Sequence, residues 1–178
     1  MDFGKVLDTV AEFLDEGEYR YSLVGAFALS ACGLSRATQD LDFAVEARAQ
    51  DELVSFLEAL GYETIYRSQG YSNHVHPLAD LGRVDFVYVF EPTATNFFAH
   101  SRSIKFLERD ILVPKPEHLA AMKVLAMKND PSRTFRELAD IQFLLTLPGV
   151  NRDEVRQHFA HHDLMERFDE LIEILEKS

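Results

Sequence analysis

Apolar and polar positions follow two periods along this chain. From Asp2 to Glu16, the residues Phe3, Val6, Leu7, Val10, Phe13 and Leu14 recur every three or four positions. That spacing predicts an amphipathic helix, stopped by Gly17. Tyr19–Val24 reads as a strand running into Gly25. Ala26–Cys32, small and apolar, reads as a short buried helix with Gly33 as its stop. Gln39–Glu46 switches to period two, with Leu41, Phe43 and Val45 on one face and Asp40, Asp42 and Ala44 on the other. Gln50–Leu60 is again amphipathic and ends at Gly61. Tyr62–Arg67 is a predicted strand. Gly70–Leu78 and Arg83–Phe90 form a predicted hairpin, turned at Ala79-Asp80-Leu81-Gly82. Ser103–Val113 holds one or two short strands. Pro114 and Pro116 then precede a helix to about Lys128, with Glu117 in its first turn, where an acid is favourable. After a break at Asn129-Asp130-Pro131-Ser132, three more helical segments span roughly Ser132–Leu147, Arg152–His161 and Leu164–Lys177.

This order predicts an α/β (α+β) fold: a mixed sheet flanked by helices over residues 1–113, then a C-terminal helical part over 114–178 packed on it as one compact unit. With 178 residues, 47% of them apolar and 14 of them Phe, the chain has the material for a core without staples.

Charge narrows the partners. Acids outnumber bases 30 to 18, a formal charge of −12. Such a surface repels phosphate backbones at long range and argues against general nucleic-acid binding. It leaves room for a nucleotide held through a metal. One cysteine, Cys32, excludes an intrachain disulfide and a multi-cysteine zinc site, and its apolar surroundings predict a buried thiol. The N-terminus lacks the basic and apolar pattern of a secretory signal, and no apolar run approaches the ~20 residues that span a bilayer. A cytoplasmic protein with no membrane partner is expected. His74 and His76 alternate on a strand but lack a third ligand, and His161-His162 reads as a helix end.

The candidate chemistry lies where a strand delivers Gly25 to the start of a helix, followed fifteen residues later by Asp40 and Asp42. A strand-to-helix junction points backbone N–H groups at an anion, and glycine lets a phosphate approach. Residues i and i+2 of a strand face the same side, so both carboxylates can reach one Mg²⁺ or two adjacent ones. Asp85 sits in the apolar strand pattern Arg83-Val84-Asp85-Phe86-Val87, where an unpaired carboxylate is expensive to bury. It is either a third metal-site acid or the partner of a residue such as Arg83. Lys123, flanked by Ala120, Ala121, Met122, Val124 and Leu125, either meets an anion or snorkels to solvent.

Val24-Gly25 followed by Asp40-Leu41-Asp42, with a later strand acid, resembles the signature of the DNA polymerase β-type nucleotidyltransferases. The run Arg36-x-Thr38-x-Asp40-Leu41-Asp42-Phe43 is similar to the AbiEii-type members, the toxins of type IV toxin–antitoxin systems. Val113-Pro114-Lys115-Pro116-Glu117-His118-Leu119-Ala120-Ala121-Met122-Lys123 and Arg136-Glu137-Leu138-Ala139-Asp140-Ile141 are similar as well. The resemblance covers roughly residues 20–145. It implies transfer of a nucleoside monophosphate from an NTP to a hydroxyl on a protein, a small molecule or tRNA, with an antitoxin as partner if the toxin role holds. It implies Asp40, Asp42 and Asp85 as catalytic acids holding two Mg²⁺ ions, and a nucleotide site of Gly25, Ala26, Arg36, Thr38, Lys123 and Asp140. Asp140 is alternatively no more than the ion-pair partner of Lys123. Ala26 stands where the family has a second Gly or a Ser. That departure sets up the alternative of a catalytically degenerate domain that binds nucleotide or another protein.

Overall fold

The computed structural model describes residues 1–177. The chain divides into two compact units, one of Met1–Ala31 with Ser35–Pro114, the other of Cys32–Leu34 with the chain from Lys115 onward. In the first unit, helix α1 (Phe3–Glu16) is capped by the Asp2 carboxylate, which accepts from the Lys5 N–H at 3.1 Å. Strand β1 (Tyr21–Leu23) leads directly into α2 (Gly25–Ala31), and a loop leads to β2 (Asp40–Glu46). Next come α3 (Gln50–Ala59), β3 (Glu63–Arg67), β4 (Tyr71–Val75), β5 (Arg83–Val89), α4 (Thr93–Ala99) and a hairpin of β6 (Arg102–Phe106) and β7 (Arg109–Val113). Five strands form one mixed sheet in the order β1-β2-β5-β4-β3. β2 and β5 run parallel, and every other pairing in it is antiparallel.

The period-two pattern sets the two faces of this sheet. Leu41, Phe43, Val45, Val84, Phe86 and Tyr88 are at most 4% exposed. Phe43 and Phe86 stack at 5.5 Å, and Phe13 of α1 stacks on Phe56 of α3 at 4.3 Å. The opposite face carries Asp40, Asp42 and Asp85, each half-buried.

A fully directed hydrogen-bond chain runs through the buried face. The Thr64 hydroxyl donates to Glu58 at 2.7 Å, so its oxygen accepts from His74 Nδ1–H at 3.2 Å. His74 Nε2, then unprotonated, accepts from the Ser72 hydroxyl at 2.8 Å, and Ser72 accepts from Tyr88 at 2.6 Å. His74 and His76 thus part company: His74 is completely buried in this chain, while His76 accepts from the Leu78 N–H at 3.0 Å.

The second unit is helical: α5 (Pro116–Asn129), α6 (Thr134–Leu145), α7 (Arg152–His161) and α8 (Met165–Glu176). Its core holds Leu119, Val124, Met127, Ile141, Leu144, Val155, Phe159 and Phe168. Buried Glu117 accepts from the Asn151 N–H at 2.7 Å, tying α5 to the start of α7.

Several expectations shift by a few residues. The predicted Tyr19–Val24 strand is only Tyr21–Leu23, while the one or two short strands expected at 103–113 are two, paired as a hairpin. Helix α4 has no counterpart in the periodicity, because seven residues are too few to display a period. Cys32 is half-buried, not buried, because α2 ends at Ala31 and the thiol falls in the following turn. No helix among the described residues is long and apolar enough to cross a membrane.

Burial lowers the His74 imidazole below its ordinary pKa, against the opposing pull of Asp85 and Glu58. The neutral form is therefore the folded form, and its stabilising contribution is complete above the unfolded pKa near 6.5. Urea unfolding should show stability falling as pH drops from about 7 through 6.5 and below. His74→Gln, which offers a donor and an acceptor but does not titrate there, should flatten that segment of the profile relative to wild type.

Candidate active site

The acid cluster is a product of strand register. β2 and β5 pair so that Asp40 lies opposite Arg83, Leu41 opposite Val84 and Asp42 opposite Asp85. Paired residues on neighbouring strands project to the same face, about 4.8 Å apart. Asp40, two residues from Asp42, shares that face. One carboxylate oxygen from each of the three acids lies within 4.8 Å of the other two. β4 extends the same row, with Asn73 opposite Asp85.

Each acid is held by a neighbour. The Thr38 hydroxyl donates to Asp40 Oδ1 in a very short contact. Arg83 Nε donates to both oxygens of Asp85, at 2.9 and 3.0 Å. Those bonds, with burial working the other way, hold the guanidinium's pKa above its ordinary value. Asp42 is seated by the backbone beneath it. The Val24 N–H donates to the Asp42 carbonyl at 2.9 Å, and Gly25 follows with φ +59°. A Cβ built on Gly25 would stand 2.0 Å from Asp42 Oδ2 and 2.7 Å from its Cγ. Glycine is therefore required twice: for a left-handed backbone and for the space that the carboxylate occupies.

Around this group, Ala26 is buried at 6% exposure, and Arg36 lies half-buried in the loop that precedes Thr38. The structure thus gathers Gly25, Thr38, Asp40, Asp42 and Asp85, with Arg36 two residues along the chain from Thr38. From the sequence Arg83 is no more than an alternative partner of Asp85, and Asn73 does not stand out. The predicted four-residue turn would pair residue 78 with 83 and so 73 with 88, whereas the observed register pairs Val75 with Arg83 and Asn73 with Asp85.

Lys123 and Asp140 lie in the second unit and are bonded to each other. Lys123 Nζ sits 2.7 Å from Asp140 Oδ2 and 2.8 Å from Glu137 Oε2. Glu137 is fully buried and also meets Arg133 at 2.6 Å and Arg136 at 3.0 Å. Burial acts to raise the Glu137 carboxyl, but Lys123, Arg136 and Arg133 outweigh it and hold its pKa at about 2.

A half-buried set of three carboxylates on adjacent strands fits a hard divalent cation that keeps several waters or phosphate oxygens. The mixed sheet and its flanking helices match solved structures of the polymerase β-like nucleotidyltransferase fold. The antibiotic-resistance factor ANT(2'')-Ia matches with a TM-score of 0.67 at 14% identity, over 100% of both chains. The lincosamide antibiotic adenylyltransferase LnuA, solved with lincomycin bound, matches at 0.56 and 15%, over 80% of this chain and 96% of its own. An antigenic nucleotidyltransferase-like protein from Paracoccidioides brasiliensis matches at 0.54 and 15%, over 94% and 92%. The model of the family described as "Nucleotidyl transferase AbiEii toxin, Type IV TA system" matches residues 11–177, and the chain belongs to that family. No curated protein matches it in a sequence search.

Two predictions follow from these contacts. Gly25→Ala should cost more in wild type than in an Asp42→Ala background, where the clashing carboxylate is gone and the left-handed strain of about 1–2 kcal/mol remains. Urea unfolding of the double-mutant cycle should give a coupling of at least about 0.5 kcal/mol. Glu137→Gln leaves the buried Lys123 with Asp140 alone and takes the carboxylate from Arg133 and Arg136, and should destabilise by about 3 kcal/mol at pH 7. Because the folded pKa of Glu137 lies below the unfolded value, that difference should persist above pH 4.5 and shrink as pH falls toward 2.

Proposed function

We propose that this chain moves a nucleoside monophosphate from an NTP to a hydroxyl acceptor and releases pyrophosphate. The observation that carries this reading is the convergence of Asp40, Asp42 and Asp85 within 4.8 Å, beside a glycine turn that only a bare Cα can occupy. Family membership supports it.

In this reading Asp40 and Asp42 hold two Mg²⁺ ions, and Asp85 shares one of them. Bound there, Mg²⁺ neutralises the charge that builds on the attacking and leaving oxygens. The remaining work belongs to the chain. Thr38 fixes the Asp40 carboxylate by its hydrogen bond, and the missing Cβ of Gly25 leaves room for that of Asp42. The N–H groups that start α2, just after Gly25, are offered to phosphate oxygens. Asp85, on the far side of the row from Gly25, accepts the proton of the attacking hydroxyl, since attack and departure lie on opposite sides of the phosphorus. In this reading Arg36 contacts a phosphate. The resemblance of the Lys123 and Asp140 segments supports a nucleotide-binding role for those two residues.

The family's type IV toxin description supports a toxin whose counterpart is an antitoxin protein, and a cytoplasmic setting suits both. The net charge of −12 favours a small or protein acceptor over a long RNA. LnuA, a fold neighbour, acts on an antibiotic, which illustrates the small-molecule case. A second reading has its own observation. Ala26 removes the hydroxyl or freedom that Ser or Gly would supply, which suits a domain that binds nucleotide, or a partner protein, without transfer.

Thermal unfolding with each NTP, with and without Mg²⁺, separates these readings. At 100 times Kd a ligand stabilises by about 2.7 kcal/mol. In a chain this size that is a shift of roughly 2–4 °C per kcal/mol. The shift should require Mg²⁺ and vanish in Asp42→Ala. Expression should arrest growth, with Asp42→Ala relieving it. Mg²⁺-dependent binding without transfer to any acceptor would favour the degenerate domain, and no binding of any NTP by folded protein would refute the nucleotide site.

A further inference from the structure

The acid cluster contains its own cation. Arg83 lies opposite Asp40 in the β2–β5 register and two residues before Asp85 on the same strand, so its side chain projects to the face that carries all three carboxylates. One N–H spans both oxygens of Asp85, at 2.9 and 3.0 Å. Asp85 is 17% exposed at its side chain, while Arg83 is 47% exposed. The carboxylate is thus fixed in the site, while the guanidinium sits at its rim with water on one side and room to swing on its aliphatic stem.

We propose that Arg83 is an exchangeable counter-ion: it holds Asp85 in place while the site lacks metal, yields that carboxylate to the divalent cation, and then turns its guanidinium onto the phosphates of the nucleotide. The inference rests on the nucleotidyl-transfer reading of the acids. Three carboxylates within 4.8 Å repel one another, and one adjacent positive charge offsets part of that repulsion. A divalent cation needs at least one of the Asp85 oxygens that Arg83 now engages, and it repels the guanidinium at such range. Metal and arginine therefore compete for Asp85. A displaced guanidinium stays within reach of ligands bound over the row. Its planar set of five donors matches phosphate oxygens, which arrive with the metal. A purely structural ion pair has the opposite consequence: its loss would loosen Asp85 and weaken the metal site.

The sign of one affinity change decides the matter. Mn²⁺ binding to the whole chain, followed by electron paramagnetic resonance without nucleotide, should be at least roughly fivefold tighter in Arg83→Gln than in wild type, the ratio that one unit charge near 4 Å carries even in water. With Mn²⁺ present, calorimetry should show the same variant binding its best NTP among ATP, GTP, CTP and UTP at least roughly fivefold more weakly. Arg67→Gln, which removes the same charge from a residue paired with Asp51, should change neither value. Equal or weaker Mn²⁺ binding by Arg83→Gln would overturn the exchange, and unchanged NTP binding would overturn the transfer to phosphate. A wild type that binds no Mn²⁺ at all would overturn the proposed function itself, an outcome distinct from wild-type binding that Arg83→Gln leaves unchanged.

Discussion

The parallel pairing of β2 with β5 is the constraint on which the site depends. Two aspartates placed opposite each other on neighbouring strands are an unfavourable pair by themselves. Asp40 on the same face makes the arrangement worse. The register is imposed from the other side of the sheet. There Leu41, Phe43 and Val45 meet Val84, Phe86 and Tyr88 in the core, and a one-residue slip would turn those side chains out and the acids in. Burial on one face thus holds together a charge cluster on the other. Thr38 and Arg83 relieve part of the repulsion. A multivalent cation would relieve more of it, and this gives the cluster a physical reason to bind one.

The opposite end of β2 shows how the same chain treats a carboxylate meant for structure. Glu46 is 5% exposed and takes Arg20 Nε at 2.9 Å and Arg48 Nε at 2.8 Å. A cavity of about 500 Å³ opens beside it, lined by Arg20, Glu46, Arg48, Phe90 and Glu91. The ion pairs of Arg20 with Glu46 and Glu91, and of Arg48 with Glu46, satisfy its charges internally. In the second unit, Glu137 is likewise surrounded by Lys123, Arg133 and Arg136. Asp40, Asp42 and Asp85 differ in coming from two paired strands and sharing one face, with Arg83 bonded to Asp85 on its own strand.

Much of this was legible in the sequence, and the limits have physical causes. The helices α1, α3 and α5 to α8 announce themselves by period and by Gly and Pro stops. Asp40 and Asp42 are recognisable as a same-face pair because strand period is local. Asp85 stands out as an acid in an apolar strand. That β2 and β5 are parallel and in register is not local information, since no turn joins them, and the convergence of three acids depends on it. The hairpin of β4 and β5 was legible but its register was not: a turn confined to 79–82 would pair residue 73 with 88, and the longer connection after Val75 places Asn73 beside Asp85 instead. The need of Lys123 for an anion was readable from its apolar neighbours. Glu137, three residues before Asp140 and on the same helix face, completes that pairing.

The most direct test of the central claim is a crystal structure of the protein with Mn²⁺ and a non-hydrolysable analogue of the NTP it prefers, read through the anomalous signal of the metal. Peaks coordinated by Asp40, Asp42 and Asp85, with the triphosphate lying on the Gly25 side of the row, are the predicted result. A nucleotide bound with no metal peak at these carboxylates, or metal bound elsewhere on the chain, would contradict it.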